Sequence, residues 1–278
     1  MKHRVTIIGA GKAGSAVARA LRAGGATFDA VISPNISHAR SLAKELDCKF
    51  ASTAIIPIPT TTSLLILAVP DKEITNLAKR ILLTPNPSPL TPVTAVHLSG
   101  ALTRKALAPL ATKGARTLAL HPAFPFTSRA ISASRITNIG WGVDCAPRDW
   151  KFAKALVHSL HGEPVRIPTS KRMAYHAACA LISNYTMTLA ETAVKLGMEI
   201  GLSRREAESV LYPALETTVK SILGTRGTPL RKRLTGPVSR GEMQTVEKHL
   251  GALSRNREIK ALYEALVKQT LHLLKHHA

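Results

Sequence analysis

The chain has 278 residues, of which 45% are hydrophobic and 20% are charged. This composition is that of a globular protein, and no stretch approaches the ~20 apolar residues that a membrane span needs. The formal net charge is +21, but aromatic residues make up only 4% and do not alternate with the basic ones. We therefore expect a solvated basic surface and no membrane partner. Nucleic-acid binding, which the charge alone suggests, is the less favoured alternative, because stacking platforms for bases need aromatic side chains.

The first half of the chain alternates strand and helix patterns. The predicted strands are short apolar runs at residues 5–8, 28–32, 49–51, 64–68, 93–98, 116–120 and 140–143. Helical patterns lie between them, at residues 15–21, 38–46, 72–82 and 103–110. Such alternation predicts a mainly parallel, doubly wound α/β sheet, which we assign to a domain of residues 1–149.

The pattern changes after about residue 149. Apolar positions at helical spacing occur in residues 150–160, 171–196, 204–223, 242–253 and 258–276. A short extended piece at residues 164–167 separates the first two of these segments. We therefore predict an all-α domain over residues 150–278, of ordinary domain size. Its segment 171–196 contains neither proline nor internal glycine and is interpreted as one long helix.

The three cysteines are Cys48, Cys145 and Cys179. They are odd in number, scattered, and without the spacing of metal ligands, so we predict no metal site. Unpaired cysteines are typical of a reducing compartment, and we therefore expect a cytoplasmic protein.

A glycine-rich turn joins the first strand to the first helix. It reads Gly9-Ala10-Gly11-Lys12-Ala13-Gly14, the GxGxxG pattern of dinucleotide-binding βαβ units. Gly9 permits the tight turn, Gly11 lets backbone N–H groups approach a pyrophosphate, and Gly14 lets helix and strand pack closely. The helix N-terminus adds partial positive charge. We therefore assign the three glycines, Lys12 and Ala13 to cofactor binding.

The end of the second strand favours NADP over NAD. NAD-specific folds usually place an acid there to bind the ribose hydroxyls, whereas residues 31–37 contain none. Ser33 and Arg40 are candidates for binding a 2′-phosphate, which cations and hydroxyls attract and a carboxylate repels. The alternative is that the polar residues only cap the next helix. Val69 and Pro70 end another strand and are expected to line the cofactor.

The predicted helix from Lys171 carries the candidate catalytic residues. On an ideal helix Arg172, His176 and Asn184 share one broad face, since each i+4 step drifts only ~40° around the axis. His176 can donate a proton near neutral pH, Asn184 can orient a substrate, and Arg172 can pair with a substrate carboxylate. Lys171, at the start of the helix, is the fourth candidate. The alternative is that the histidine and asparagine are hydrogen-bonded structural residues.

Three further residues are candidates for substrate binding. Ser99 follows a strand and can bind substrate or the nicotinamide amide. His121 ends the next strand and is either a second donor or a brace for its loop. Arg240 lies in the basic loop 225–241 and can hold an anionic group, or it simply belongs to a solvated surface.

These motifs together resemble one family over nearly the whole chain, the Rossmann-like oxidoreductases with a helical C-terminal domain of unknown function 2520. The resemblance rests on Gly9–Gly14, Ala68–Asp71, His97–Leu102, Leu120–Pro122, Tyr175–Ala178 with Ser183-Asn184, and Leu234–Pro237 with Arg240-Gly241. The first motif is common to many reductases, and the later ones, in this order and spacing, are more specific. One departure is Pro34, where members often have arginine.

The resemblance implies an NADP-dependent reductase related to ketopantoate reductases and pyrroline-5-carboxylate reductases. Its implied substrate is a small 2-oxo acid, with 2-dehydropantoate as the candidate. The alternatives are a cyclic imine reductase of the pyrroline-5-carboxylate type and a dinucleotide-binding sensor without catalysis. By similarity to related reductases, we expect a small anionic substrate and a homodimer formed through the helical domain.

Overall fold

The structure is a computed structural model that describes residues 3–84, 90 and 92–275. It divides into two compact units, Met1–Ser183 and Asn184–Ala278. Within the described residues, the first unit is built on one eight-stranded sheet. The strands are β1 (Arg4–Ile8), β2 (Thr27–Ile32), β3 (Ala51–Ser52), β4 (Leu64–Leu67), β5 (Thr94–His97), β6 (Arg116–Pro122), β7 (Gly140–Asp144) and β8 (Glu163–Arg166).

The strand order is β3-β2-β1-β4-β5-β6-β7-β8. Neighbouring strands run parallel except for the antiparallel pair of β6 and β7. Strands β4 and β5 are buried at every position, as expected where helices cover both faces of a parallel sheet. This confirms the predicted α/β class with a mainly parallel sheet.

Helices cover both faces of this sheet. They are α1 (Lys12–Ala23), α2 (Ile36–Glu45), α3 (Asp71–Leu82), α4 (Ala108–Ala111), α5 (Trp150–Ser159) and α6 (Arg172–Ile182). One core cluster contains buried side chains of α1, α2 and α5, and a second contains those of α3 and the segment around α4. Each cluster packs against its own set of strand residues.

The domain boundary predicted between residues 149 and 150 lies inside the first unit. Strand β8 pairs with β7 along its whole length, from Glu163 to Arg166. Helix α5 buries Ala153, Leu156 and Val157 in the core cluster that also contains α1 and α2. The sheet therefore extends beyond the region in which strand and helix patterns alternate clearly in the sequence.

The second unit is all-α in its described part, which confirms the predicted helical C-terminal region. Its helices are α7 (Asn184–Glu199), α8 (Arg204–Leu223), α9 (Pro237–Arg240), α10 (Met243–Ala252) and α11 (Arg257–Lys275). Ser203 and Glu206 form a reciprocal capping box that starts α8. No helix of the described residues is long and apolar enough to cross a membrane.

The segment predicted as one helix over residues 171–196 is divided. Helix α6 ends at Ile182, Ser183 is its C-cap, and α7 begins at Asn184. No proline or glycine marks this break, so local sequence carries no signal for it. The prediction that Asn184 continues the helix face of Arg172 and His176 is therefore wrong, because these residues belong to different helices in different units.

Candidate active site

The turn after β1 brings two strands and a helix into close contact. Gly9 has a φ of +114°, which favours glycine. A Cβ on Gly9 would overlap the backbone carbonyl of Ala68, at the end of β4, and a Cβ on Gly14 would overlap the carbonyl oxygen of Gly9. Only glycine fits at these two positions. The packing roles expected of both residues match this geometry.

The same turn leaves the N-terminus of α1 uncapped. No side chain caps the helix, and its first turn carries no acidic residue. The first helical hydrogen bond runs from the Ser15 N–H to the Gly11 carbonyl, so the N–H groups of residues 12–14 have no helical acceptor. A Cβ on Gly11 would meet open space, and Lys12 beside it is exposed. The geometry fits a dinucleotide diphosphate, which such helix ends bind.

The end of β2 is free of carboxylates, but part of its polar surface is already engaged. The Asn35 side chain accepts hydrogen bonds from the His38 N–H at 3.1 Å and the Ser37 hydroxyl at 2.6 Å. Asn35 thereby caps α2, which begins at Ile36, two residues before its predicted start. Arg40 is exposed on α2 and Ser33 is buried at the strand end, which leaves Arg40 as the accessible cation.

Ser99 braces two loops at the ends of β4 and β5. Its hydroxyl donates to the Asp71 carboxylate at 2.8 Å and accepts from the Leu102 N–H at 2.9 Å. The residue is only 7% exposed. These bonds give Ser99 a structural role, and they occupy the hydroxyl that the sequence assigns to cofactor and substrate. Val69, half-buried, and Pro70, exposed, precede Asp71 at the start of α3.

The His97 ring is fully buried and held in one tautomer. Its Nδ1 accepts from the Ser99 N–H at 3.2 Å, so its Nε2 carries the proton and donates to the Thr103 carbonyl at 3.0 Å. Burial lowers the pKa of His97 to about 4. The neutral ring therefore shapes the loop that follows β5.

Arg172 is a structural residue at the start of α6. Its guanidinium donates to the carbonyl oxygens of Leu102 at 2.5 Å, Ser99 at 2.7 Å and Gly142 at 3.4 Å. The whole residue is 0% exposed, and burial lowers the pKa of its guanidinium. The interpretation of Arg172 as a partner for a substrate carboxylate is corrected: three backbone carbonyls, which the fold would otherwise bury unpaired, take its donors.

Two histidines meet over Gly100, and a tyrosine contacts one of them. A Cβ on Gly100 would overlap the ring of His176 and would lie 2.9 Å from Nε2 of His121. The Tyr175 hydroxyl lies 2.8 Å from Nδ1 of His121. The His121 and His176 rings are edge-on, with centroids 5.7 Å apart, and the Tyr175 ring lies against Gly142 of β7. This cluster, His121, Tyr175 and His176 around Gly100, is called the histidine cluster below.

Burial and positive charge set the protonation of the histidine cluster. The pKa of His121 is lowered to about 4, first by burial and then by the charges of His176 and Arg172. Burial raises the pKa of the Tyr175 phenol. At neutral pH an uncharged imidazole therefore faces a protonated phenol. All three side chains are half-buried, so part of each remains accessible.

The structure brings together only some of the candidate residues. His121 and His176 meet in the histidine cluster, with the loop containing Ser99 beside them. Lys171 is exposed at the start of α6. In the second unit, Asn184 is exposed, and Arg240 bonds the Glu242 carboxylate at 2.5 and 2.9 Å. Within the described part of the chain, no group of three His, Cys, Asp or Glu residues is placed to hold a metal ion.

Sequence reasoning assigned no role to Tyr175 or Gly100. Both lie in the motifs that carry the family resemblance, and Tyr175 directly precedes His176. Adjacent helix positions point about 100° apart, so the sequence does not indicate that both side chains reach the same neighbour. The position of β6 beside α6 makes that possible, with His121 between the two rings.

Comparisons with known proteins agree with this architecture. The model of a Rossmann-like domain matches residues 1–122, and that of a domain of unknown function, DUF2520, matches residues 139–270. A search of curated proteins finds no match. The fold and the glycine turn thus define a Rossmann-like protein. More narrowly, the chain joins a region that matches the model of a Rossmann-like domain to a region that matches the model of DUF2520.

Solved structures share the whole architecture at low sequence identity. A Bacteroides fragilis protein described as an NADP oxidoreductase has a TM-score of 0.74 at 20% identity, covering 98% of both chains. Protein TM1727 of Thermotoga maritima has a TM-score of 0.74 at 24% identity, also covering 98% of both. The 1-pyrroline-5-carboxylate reductase of Streptococcus pyogenes has a TM-score of 0.64 at 15% identity, covering 99% of this chain and 98% of its own.

Proposed function

We propose that the protein is an NAD(P)-dependent reductase of a small 2-oxo acid. The observation that carries the proposal is the histidine cluster at the carboxyl edge of the sheet. Strands β1, β4, β5 and β6 are mutually parallel, so the glycine turn after β1 and His121 on β6 lie at the same edge. Ligands of open α/β sheets bind at this edge. The similarity to oxidoreductase folds supports the same reaction class.

The cofactor proposed for the glycine turn is NADP, with NAD the less favoured form. A bound nicotinamide would supply the hydride. The uncapped N-terminus of α1 would hold the diphosphate through the backbone of Lys12 and Ala13. Arg40, exposed on α2 beyond a strand end without carboxylates, would pair with the 2′-phosphate. In a binding titration, R40A should weaken NADPH about tenfold and leave NADH unchanged, since a charged hydrogen bond contributes at least ~1.4 kcal/mol.

Tyr175 orients His121 in this proposal. A phenol is a stronger hydrogen-bond donor than a neutral imidazole, and an imidazole nitrogen is the stronger acceptor. The phenol O–H therefore donates to Nδ1, and the proton of the neutral ring lies on Nε2, the atom next to Gly100. That N–H would hydrogen-bond the carbonyl oxygen of the substrate, where negative charge develops during hydride transfer. His176, edge-on to the same ring, would deliver the proton.

The charge around the histidine cluster favours a carbonyl over an imine. The guanidinium of Arg172 is a permanent positive charge near His121, and it lowers the pKa of that ring. Such a positive field stabilises an oxyanion that forms in the reaction, and it disfavours the protonated iminium that imine reduction requires. It also attracts a substrate carboxylate. These effects support a 2-oxo acid, of which 2-dehydropantoate is the first candidate.

A cyclic imine acid such as pyrroline-5-carboxylate is the second candidate. Its carboxylate suits the same positive field, and the likeness in fold to a pyrroline-5-carboxylate reductase extends over 99% of this chain. The remaining alternative is a dinucleotide-binding sensor without catalysis. These three functions differ in which substrate, if any, oxidises the bound reduced cofactor, and the assay below separates them on that basis.

We also propose that the helical unit forms a homodimer. Within its described part few hydrophobic side chains are buried, among them Val194, Val246 and Leu253. Large apolar side chains remain exposed along α7, α8 and α11, and a groove of about 690 Å³ lies between α7 and α8. A unit with so little core of its own requires a partner to bury this surface. Light scattering on the purified chain should give the mass of two copies, and a monomer would contradict the proposal.

The activity is tested by following NADPH oxidation with purified protein and each candidate substrate. We expect turnover with 2-dehydropantoate, and loss of turnover by a factor of about 100 or more in H121Q and H176Q, because general acids contribute at least this much. Cofactor affinity should be unchanged in both variants. Turnover with pyrroline-5-carboxylate alone would favour the second candidate. NADPH binding without oxidation across a panel of oxo acids and imines would favour the sensor.

A further inference from the structure

The connection between β6 and β7 is much longer than an antiparallel turn requires. Adjacent antiparallel strands are commonly joined by two to five residues, whereas here residues 123–139 separate them. Phe124, Phe126 and Ile131 pack partly against the core cluster that contains α1. The short 3-10 helix Ala133–Ile136 also contacts α1. This segment, residues 123–139, is called the strap, and it lies along the helix that follows the glycine turn.

Two arginines connect the strap to helix α1 and to the glycine turn. Arg19 of α1 donates to the carbonyls of Arg129 at 2.5 Å and Ile131 at 3.0 Å, and its Nε pairs with Glu45 at 2.7 Å. In the opposite direction, Nε of Arg129 donates to the carbonyl of Ala10 at 3.0 Å. Ala10 is the residue between the first two glycines of the turn. The strap is thereby held against the glycine turn itself.

Arg129 brings a positive charge that the described residues do not neutralise. Arg19 is paired with a carboxylate, but no carboxylate of the described residues forms an ion pair with Arg129. Its Nε bond to Ala10 is its sole side-chain hydrogen bond within that part of the chain. The residue is half-buried. A free guanidinium edge is therefore held beside the uncapped N-terminus of α1.

We propose that Arg129 binds the diphosphate of the dinucleotide, together with the backbone N–H groups at the start of α1. This inference rests on the proposed dinucleotide binding. Arg129 is fixed at the glycine turn, while Arg40 lies on α2, beyond β2, where the 2′-phosphate is expected. Arg129 therefore contributes to the affinity for NADPH and NADH alike. A guanidinium suits this role because its planar donors match two phosphate oxygens at once.

The test is a fluorescence titration of NADPH and of NADH against the wild-type chain, R129Q and the matched control R135Q. Arg135 lies on the same strap but is exposed, so both variants lose one positive charge from the same segment. We expect R129Q to weaken both cofactors by about tenfold, as loss of one charged contact predicts, and R135Q to bind as the wild type does. R129K should recover part of the affinity, because it keeps the charge without the planar fork.

Each other outcome overturns the inference. Wild-type affinity in R129Q would show that the arginine only tethers the strap. A loss of affinity confined to NADPH would place the contact at the 2′-phosphate. Equal losses of affinity in R129Q and R135Q would show that the effect comes from the overall positive charge of the strap. Thermal unfolding of the variants identifies any loss of cofactor affinity that comes from misfolding. If R129Q is misfolded, the cofactor affinity of R129K is the deciding measurement. If the wild-type chain binds neither cofactor, the proposed function itself fails, and the inference fails with it.

Discussion

The phenol of Tyr175 and Nδ1 of His121 lie 2.8 Å apart, which joins helix α6 to the end of strand β6. This bond fixes the imidazole ring without charging it, since burial and neighbouring cations hold the pKa of His121 at about 4. The other ring nitrogen lies against Gly100, where the ring of His176 also packs. The geometry thus presents two imidazoles to one small space at the carboxyl edge of the sheet.

Removal of the tyrosine hydroxyl should lower the rate of the chemical step. In Y175F the His121 ring loses its orienting bond, and its proton can occupy either nitrogen. We expect kcat to fall by about tenfold with KM nearly unchanged, as for an interaction that acts mainly in the transition state. Steady-state kinetics and the pH profile of kcat check this. A raised KM with unchanged kcat would instead identify Tyr175 as a substrate-binding residue.

A methyl group at position 100 should displace the histidines while leaving the fold intact. In G100A the new Cβ would overlap the His176 ring and press on His121, and side-chain rings move more easily than backbone. We expect a loss in kcat of about 100-fold, the size of a misplaced general acid, with the unfolding temperature nearly unchanged. The control is G140A, where a Cβ would meet open space. Wild-type activity in G100A would contradict the assignment of the site.

We expect Arg172 to contribute mainly to the stability of the fold and not to catalysis. R172M keeps much of the side-chain volume but leaves three backbone carbonyls, two in the loop after β5 and one on β7, without their donor. We expect a loss of about 3 kcal/mol in the free energy of unfolding, in line with buried groups left unsatisfied. K171M, one residue earlier and exposed, should be neutral. Normal stability of R172M combined with a raised KM would restore Arg172 as a substrate ligand.

His97 should make the protein less stable in mild acid. Its pKa is about 4 in the folded chain and about 6.5 when unfolded, so the unfolded state binds more protons between these values. The contribution is therefore complete above pH ~6.5 and is lost as the pH falls toward 4, at up to about 1.4 kcal/mol per pH unit. Urea unfolding at pH ~7 and ~5 measures it. In H97Q this part of the pH dependence should disappear. An unchanged pH dependence would show that His97 is not its source.

Most of the sheet was predictable from short-range patterns. The buried strands are continuous apolar runs such as Leu64–Leu67, and the glycine turn lies between a strand and a helix at the expected spacing. The local signals failed at long-range contacts. Strand β8 overlaps the extended piece predicted at residues 164–167, but it is short and mostly exposed, and its place in the sheet follows only from its pairing with β7. The break at Ser183 has no local signal either.

The candidate site was predicted in part for the same reason. His121 and His176 were identified because their chemistry is visible in the residue type. Arg172 was misread, because its three carbonyl partners come from the loop after β5 and from β7, which are far away in the sequence. Tyr175 was missed because it lies on helix α6 and its partner, His121, lies far away in the sequence on strand β6. Helical spacing alone predicts neither the burial of a polar side chain nor its hydrogen-bond partners.

In the proposed reaction a hydride reaches a substrate carbon beside His121 and His176. The most direct measurement is a single-turnover reaction with NADPH deuterated at the transferable position of C4 and 2-dehydropantoate, followed by mass spectrometry of the product. We expect one deuterium on the new alcohol carbon with wild-type protein, and loss of that product in G100A but not in G140A. Cofactor binding without any deuterated product from oxo acids or cyclic imines would contradict it.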